Sequence, residues 1–339
     1  MKSYHANKGA GLASLTLREH DVPVPGPHEV LVRVRASAMN YRELAILWGT
    51  YPLPIKPDVV PLADGAGEIV AVGAGVTRAK IGDRVAATPL PLWIDDLAFP
   101  GWDYAAQIGG SLDGLLAEYA VFNEEWIVHI PDHLSFEEAA ALPTAGVTAW
   151  NALFGGSRPI KVGETVLVQG SGGVSLYALQ FAKLFGARVI ATTSSEEKAQ
   201  RLKALGADEI VNYRTTPKWD EAVRAITDGH GVDHVVESTN PATLEQSIKA
   251  TAISGQVVLI GWLPSDVTKI DIGSFFFNLV TLRPIFAGSR AHFIAMNQAI
   301  AQHQLKPVID RVFPFADAKA AYRYYEEQQP LGKVVINHS

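Results

Sequence analysis

The sequence predicts an α/β fold in two parts, a barrel-like β domain followed by a doubly wound parallel sheet. Three observations carry that expectation. Short apolar segments between Pro and Gly turns fill the first third of the chain. From about residue 126 strands alternate with helices. Within that alternation, the apolar strand at 165–169 runs straight into a glycine turn and a helix.

Composition limits the rest. At 339 residues and 48% hydrophobic content, the chain can bury one large core or two ordinary ones. Charged residues are 19%, too few for compositional disorder. A net charge of −6 disfavours a nucleic-acid partner, which needs a basic field. There is no cysteine, so disulfides, cysteine-bound zinc and a thiol nucleophile are all excluded. Residues 1–11 hold no leader-like apolar run, and no stretch of about 18 apolar residues marks a membrane span. The expectation is a cytoplasmic protein with no membrane partner.

Val30–Ala36 alternates apolar and charged side chains after the turn Pro23–Pro27, as a half-buried strand does. Glu68–Gly73 and Asp83–Ala86 are further short strands. Residues 88–114, with Trp93, Phe99, Trp102 and Tyr104 among prolines and glycines, read as a long aromatic loop, either functional or simply packed. Ser135–Glu138 has the pattern of a capping box, and 137–154 then reads as one helix bent at Pro143. Strand–helix pairs follow: 165–169 with 173–185, 188–192 with 196–205, 209–212 with 219–227, and 233–237 with 241–252. Strands at 256–260 and 283–287 complete the sheet. The tail, 305–339, returns to β segments around a helix at 317–328 and is placed back in the first domain.

The segment Val166–Ser175 carries the chemistry. Its spacing is G-x-G-x-x-S, with Gly170 for the tight turn, Gly172 for close approach of a pyrophosphate, and Ser175 where a third glycine often stands. Ser171, Gly173 and Val174 complete the loop and open a helix whose free N–H groups suit phosphates. An ordinary glycine turn is the plainer alternative, but the strand–turn–helix context favours a dinucleotide-binding Rossmann unit. Two other glycine-rich stretches, 64–67 and 73–75, complete no such spacing and read as β turns.

The second strand of the sheet ends Thr192-Thr193-Ser194-Ser195, without the acid that would hold the ribose 2′-hydroxyl of NAD. Ser194, Lys198 and Tyr213, followed by Arg214, suit a 2′-phosphate, so NADPH is favoured over NADH. Capping of the next helix by Ser194 and Ser195 is compatible with that role.

Several segments together resemble the medium-chain dehydrogenase/reductase superfamily, and within it the zinc-free, quinone-oxidoreductase-like branch. They are Ala38–Glu43, Asp64–Val70, Val76–Val85, Leu142–Trp150, the glycine motif and Leu205–Arg214, and they span almost the whole chain. The resemblance implies a GroES-like β-barrel domain from both chain ends (1–125 and 291–339) with an inserted Rossmann domain (126–290). It also implies a cleft where nicotinamide meets substrate. Where zinc alcohol dehydrogenases have Cys-His-x-Asp and Gly-His-Glu, this chain has Asn40-Tyr41-Arg42-Glu43 and Leu62-Ala63-Asp64, so the Cys and His ligands become Asn40 and Ala63. No metal is expected.

Without a Lewis acid, reduction of a quinone or an α,β-unsaturated carbonyl is easier than oxidation of an alcohol. By resemblance Asn40 and Tyr41 lie where the metal would be. They are the candidates to contact the oxyanion, with Tyr41 or solvent as proton donor. Their alternatives are a turn hydrogen bond and packing. Asp64 is expected to orient Tyr41 or Arg42, or to bind a backbone turn, and Arg42 with Glu43 to form a structural ion pair. Trp48, Tyr51 and Trp93 make either an aromatic wall for a flat acceptor or core. The resemblance also places Thr148, Ser238, Thr239, Gly261, Trp262, Gly288, Ser289 and Arg290 around the cofactor. Lys333 is placed there too, or in solvent. A homodimer is implied, with Ile253–Trp262 and Phe275–Phe277 as candidate contacts. Competing readings are an alcohol dehydrogenase with an unconventional metal site, a non-catalytic NADPH-binding protein, and a reductase of acyl thioesters.

Overall fold

A computed structural model describes residues 1–95, 99–101, 106–261, 270–328 and 330–339. In chain order its elements are β1 (Lys2–His5), β2 (Thr16–Glu19), β3 (Glu29–Ala38), α1 (Tyr41–Trp48), β4 (Asp64–Val72), β5 (Arg84–Ala87), β6 (Tyr119–Asn123), β7 (Ile127–His129), α2 (Phe136–Ala140) and α3 (Ala145–Phe154). Then come β8 (Thr165–Gln169), α4 (Gly173–Leu184), β9 (Arg188–Thr193), α5 (Glu196–Ala204), β10 (Glu209–Asn212), α6 (Trp219–Ile226), β11 (Val232–Glu237), α7 (Pro241–Ala250) and β12 (Thr251–Leu259). The last are α8 (Ile272–Phe277), β13 (Thr281–Pro284), α9 (Arg290–His303), β14 (Ile309–Pro314), α10 (Ala318–Gln328) and β15 (Lys333–Asn337). No helix among the described residues is long and apolar enough to cross a membrane.

The chain divides into two compact units, Met1–Val147 with Gly288–Ser339, and Thr148–Ala287. The first holds a sheet ordered β14-β15-β3-β4-β5-β7, with β6 on β3. The tail enters it through β15, antiparallel to β3 with Val335 opposite Ala38. The sequence puts the switch at residue 126. The structure puts it at 147/148, because β7 pairs with β5 and α2 packs on β3 and β4.

The second unit is a six-stranded sheet, β10-β9-β8-β11-β12-β13, parallel throughout. Its strand order reverses beside β8, the topological switch point where open α/β sheets bind ligands. Val166, Leu167, Val168, Val235 and Val236 are fully buried, as central parallel strands require.

Four local expectations are corrected. Asp64–Gly67 is the start of β4, not a turn; a Cβ on Gly67 would lie 2.2 Å from the Arg33 carbonyl oxygen, so glycine there serves strand approach. The helix read over 137–154 is two helices. Its Ser135–Glu138 capping box is present, but Pro143 disfavours helix before it, and the Thr144 N–H goes to Asp64 Oδ1 at 3.0 Å. The last strand is 281–284 rather than 283–287; its pairing with β12 closes where the Ile285 N–H bonds the Leu259 carbonyl at 2.9 Å. The strand expected over 256–260 begins at Thr251 and runs through an irregularity with Ser254 at φ 62°.

Candidate functional site

In the second unit, β8 ends at Gln169 and the chain turns at Gly170, whose φ of 73° is left-handed and favours glycine. Gly172 caps α4 with φ −74°, which any residue adopts. A Cβ on either would meet nothing within 4 Å. Glycine at 172 is therefore demanded neither by the backbone nor by packing; the open space over it suits an approaching ligand. Because Gly172 has no side chain, no side-chain cap occupies the first N–H groups of α4. Gly173 and Val174 form that first turn, and Ser171 is buried beside it. The groups present fit a pyrophosphate.

Ser175 does more than stay small. Its Oγ donates to the Gln169 carbonyl at 2.6 Å and lies 3.1 Å from Ser238 Oγ, tying the helix start to the strand end. Ser238 also donates to that carbonyl. Behind the turn lies a cluster that sequence reasoning missed. The Glu237 carboxylate, 1% exposed, accepts from Gln169 Nε2 (2.9 Å), Thr239 Oγ1 (2.6 Å), Thr243 Oγ1 (2.9 Å) and Ser247 Oγ. The signal was the run of hydroxyl residues around a strand-terminal Glu. Gly261 lies against this segment, where a Cβ would sit 2.3 Å from the Thr239 carbonyl oxygen. Thr148 is buried on α3. Trp102, Tyr104 and Trp262 lie outside the described residues.

Beyond β9, Ser195 caps α5 by accepting the Lys198 N–H, and the Tyr213 N–H bonds the Thr193 carbonyl at 3.0 Å. Ser194, Lys198 and Tyr213 are thus gathered around the end of β9, which itself carries no acid, while Glu196 and Glu197 open the helix beyond it. Thr193 Oγ1 is buried there without a partner among the described residues.

In the first unit, Asn40 stands at the N-cap of α1 but makes no side-chain cap bond. Instead Lys333 Nζ donates to Asn40 Oδ1 (2.7 Å), the Met39 carbonyl (2.8 Å) and Asp64 Oδ2 (3.1 Å). Asp64 Oδ1 takes the N–H and hydroxyl of Thr144. Lys333 is 2% exposed and Asp64 fully buried. Lys333 is therefore not a solvated charge: its ammonium is buried and faces three acceptors. Of the roles open to Asp64, the structure shows the turn: it takes the Thr144 N–H, and its charge reaches Arg42 only through space. Asn40 Nδ2 is buried with no partner among the described residues, and an unmet buried donor costs about 1–3 kcal/mol.

Arg42 and Glu43 form the expected ion pair at 3.1 Å, and Arg42 also binds the carbonyls of Ile108 and Gly109. Tyr41 is 37% exposed and edge-on to Trp48. Burial pushes its phenol pKa up. The three residues read as an aromatic wall have different partners: Tyr51 bonds Gln107, Trp48 bonds Glu326, and Trp93 packs on Phe99 and His292. Three residues placed at the cofactor by resemblance have structural partners within the first unit. A Cβ on Gly288 would lie 2.7 Å from Val147, Ser289 caps α9, and the Arg290 guanidinium binds the Glu125 carbonyl at 2.9 Å.

The positions that resemble a zinc site do not fit zinc. Asn40 and Ala63 offer no imidazole or thiolate, both oxygens of Asp64 are committed, and an ammonium already contacts Asn40 and Asp64. A dication there would face a buried like charge.

Residues 26–132 match the family described as alcohol dehydrogenase GroES-like domain, and residues 173–302 that described as zinc-binding dehydrogenase. A zinc-type alcohol dehydrogenase-like protein of Schizosaccharomyces pombe is 41% identical over 333 residues, 96% of each chain. A quinone oxidoreductase of Pseudomonas aeruginosa is 33% identical over 95% of each. The crystal structure of an NAD-dependent alcohol dehydrogenase superposes with a TM-score of 0.90 at 36% identity, covering 100% of both. With its GroES-like domain, Rossmann-type sheet and these relatives, the chain belongs to the medium-chain dehydrogenase/reductase superfamily and is an NAD(P)-dependent oxidoreductase.

Proposed function

We propose that the protein reduces an electron-poor acceptor, a quinone or an α,β-unsaturated carbonyl, at the expense of NADPH and without a metal. The observation that carries this reading is the buried Lys333 ammonium on Asn40 and Asp64. Alcohol oxidation draws on a Lewis acid to stabilise the alkoxide, and this donor set does not suit one. An acceptor that is already electron-poor needs only a positioned donor for the negative charge that develops on its oxygen.

NADPH supplies the hydride. Gly170–Val174 and the first N–H groups of α4 hold its pyrophosphate, with Ser238, Thr239 and Gly261 beside the turn. Ser194, Lys198 and Tyr213 take the 2′-phosphate, and the absence of an acid at the end of β9 favours it over a bare hydroxyl. Asn40 Nδ2 donates to the acceptor's developing oxyanion; one such donor is worth about 10²–10³ in kcat. Tyr41 keeps its proton at neutral pH, and it or water protonates the product.

The functional unit is a homodimer. β13 is the edge of the second unit's sheet, and Ile272, Phe276, Phe277 and Leu279 beside it are 62–79% exposed. A second copy adding its own β13 edge would cover that apolar face.

The test is NADPH oxidation at 340 nm with a para-quinone, with an enone, and, in the reverse direction, NADP⁺ reduction with primary and secondary alcohols. Turnover is expected with the first two and to be weak with alcohols. Fast alcohol oxidation with no quinone turnover would overturn the reading.

A further inference from the structure

We propose that Lys333 is a positioning residue for the reduction: its ammonium fixes the orientation of the Asn40 carboxamide and so makes Nδ2 the donor presented to the acceptor's oxygen. This rests on the role given to Asn40 above and names what enforces it.

Four observations converge. An Asn at a helix N-cap ordinarily accepts an N–H from the first turn, and Asn40 does not. Its Oδ1 lies 2.7 Å from the Lys333 ammonium instead. An ammonium only donates, so the oxygen must face it; a flipped amide would set NH₂ against NH₃⁺. Lys333 has no freedom to swing away, since its other protons go to the Met39 carbonyl and to Asp64, and Asp64 is pinned by Thr144. Nδ2 is what remains: a buried donor with no partner among the described residues.

The fold supplies this geometry from distant sequence. β15 pairs with β3, and the Met39 N–H bonds the Val334 carbonyl at 2.9 Å, which brings residue 333 beside residues 39–40. Lys333 touches no reacting atom in this scheme. It acts through Asn40, as an internal cation that sets a neutral amide rather than as a Lewis acid.

Removing Lys333 alone would strand the Asp64 carboxylate, so the test uses the charge-neutral pair Lys333→Met with Asp64→Asn. Its kcat with a para-quinone and its Kd for NADPH by fluorescence are compared with those of Asn40→Ala and of the triple variant. Asn40→Ala is expected to lower kcat about 100-fold. The pair should lower kcat comparably and leave the NADPH Kd unchanged. The triple variant should lose nothing further, because both changes remove one donor. A multiplicative loss in the triple variant, or a pair with undiminished kcat, overturns the inference. An Asn40→Ala enzyme with full kcat overturns the reading of Asn40 itself, and the positioning role with it. Should the pair not fold, Lys333→Arg keeps a cation for Asp64. A loss of kcat in it that disappears in the Asn40→Ala background supports the proposal, and one that persists contradicts it.

Discussion

Gly170 and Gly172 are both glycine, for different reasons. Gly170 needs its left-handed φ; Gly172 needs nothing from its own chain. Gly170→Ala should therefore cost about 1 kcal/mol of stability through backbone strain. Gly172→Ala should shift stability by less than about 0.5 kcal/mol, as an uncrowded surface change does, while weakening NADPH binding at least tenfold. Urea unfolding and a fluorescence titration separate the two. Equal binding by wild type and Gly172→Ala would remove the turn from the cofactor site. This motif was legible because its parts are adjacent in sequence. Lys333 was not: its partner Asn40 lies 293 positions away, and a lone Lys near the chain end gives no hint that it is 2% exposed.

Among the elements, those with a strong local signal were read to within a residue or two. β8 and β10 fall where expected, since an apolar run between turn residues leaves little choice. The break between α2 and α3 was hidden because it depends on Asp64, from a distant strand, taking the Thr144 N–H. α9 is not announced by its start: Gly288-Ser289-Arg290 reads by resemblance as lining the cofactor, and the Ser289 cap is seen only in the structure. β11 carries a testable burden of its own. His234 is fully buried on it, and Arg158, Glu164 and Asp233 face it. Burial and the Arg158 charge lower its pKa to about 4, so the folded state keeps it neutral where the unfolded chain binds a proton. A histidine depressed in this way contributes stability that is complete above its unfolded pKa of about 6.5 and lost as pH falls from there toward 4. Chemical denaturation between pH 7.5 and 4.5 should show that decline, and His234→Gln should flatten it. An unchanged slope in the variant would assign the decline to other groups.

At the scale of the whole molecule, the two architectures were predictable because their patterns differ: short strands between Pro and Gly turns in one unit, strand–helix alternation in the other. Their boundary was less so, since β7 and α2 continue without a composition shift. Phe277→Glu, at a position 79% exposed, should leave the fold intact and convert dimer to monomer by light scattering. A wild type that is already monomeric would remove the second copy as its occupant.

We propose that the protein turns over without a metal, with the buried Lys333 ammonium and the amide beside it at the positions that resemble a zinc site. Metal content and quinone turnover, measured on the same chelator-dialysed sample, decide this. Far less than one metal ion per chain is expected, with undiminished NADPH oxidation and no gain on adding zinc. Activity that falls with chelation and returns in proportion to zinc bound would contradict it.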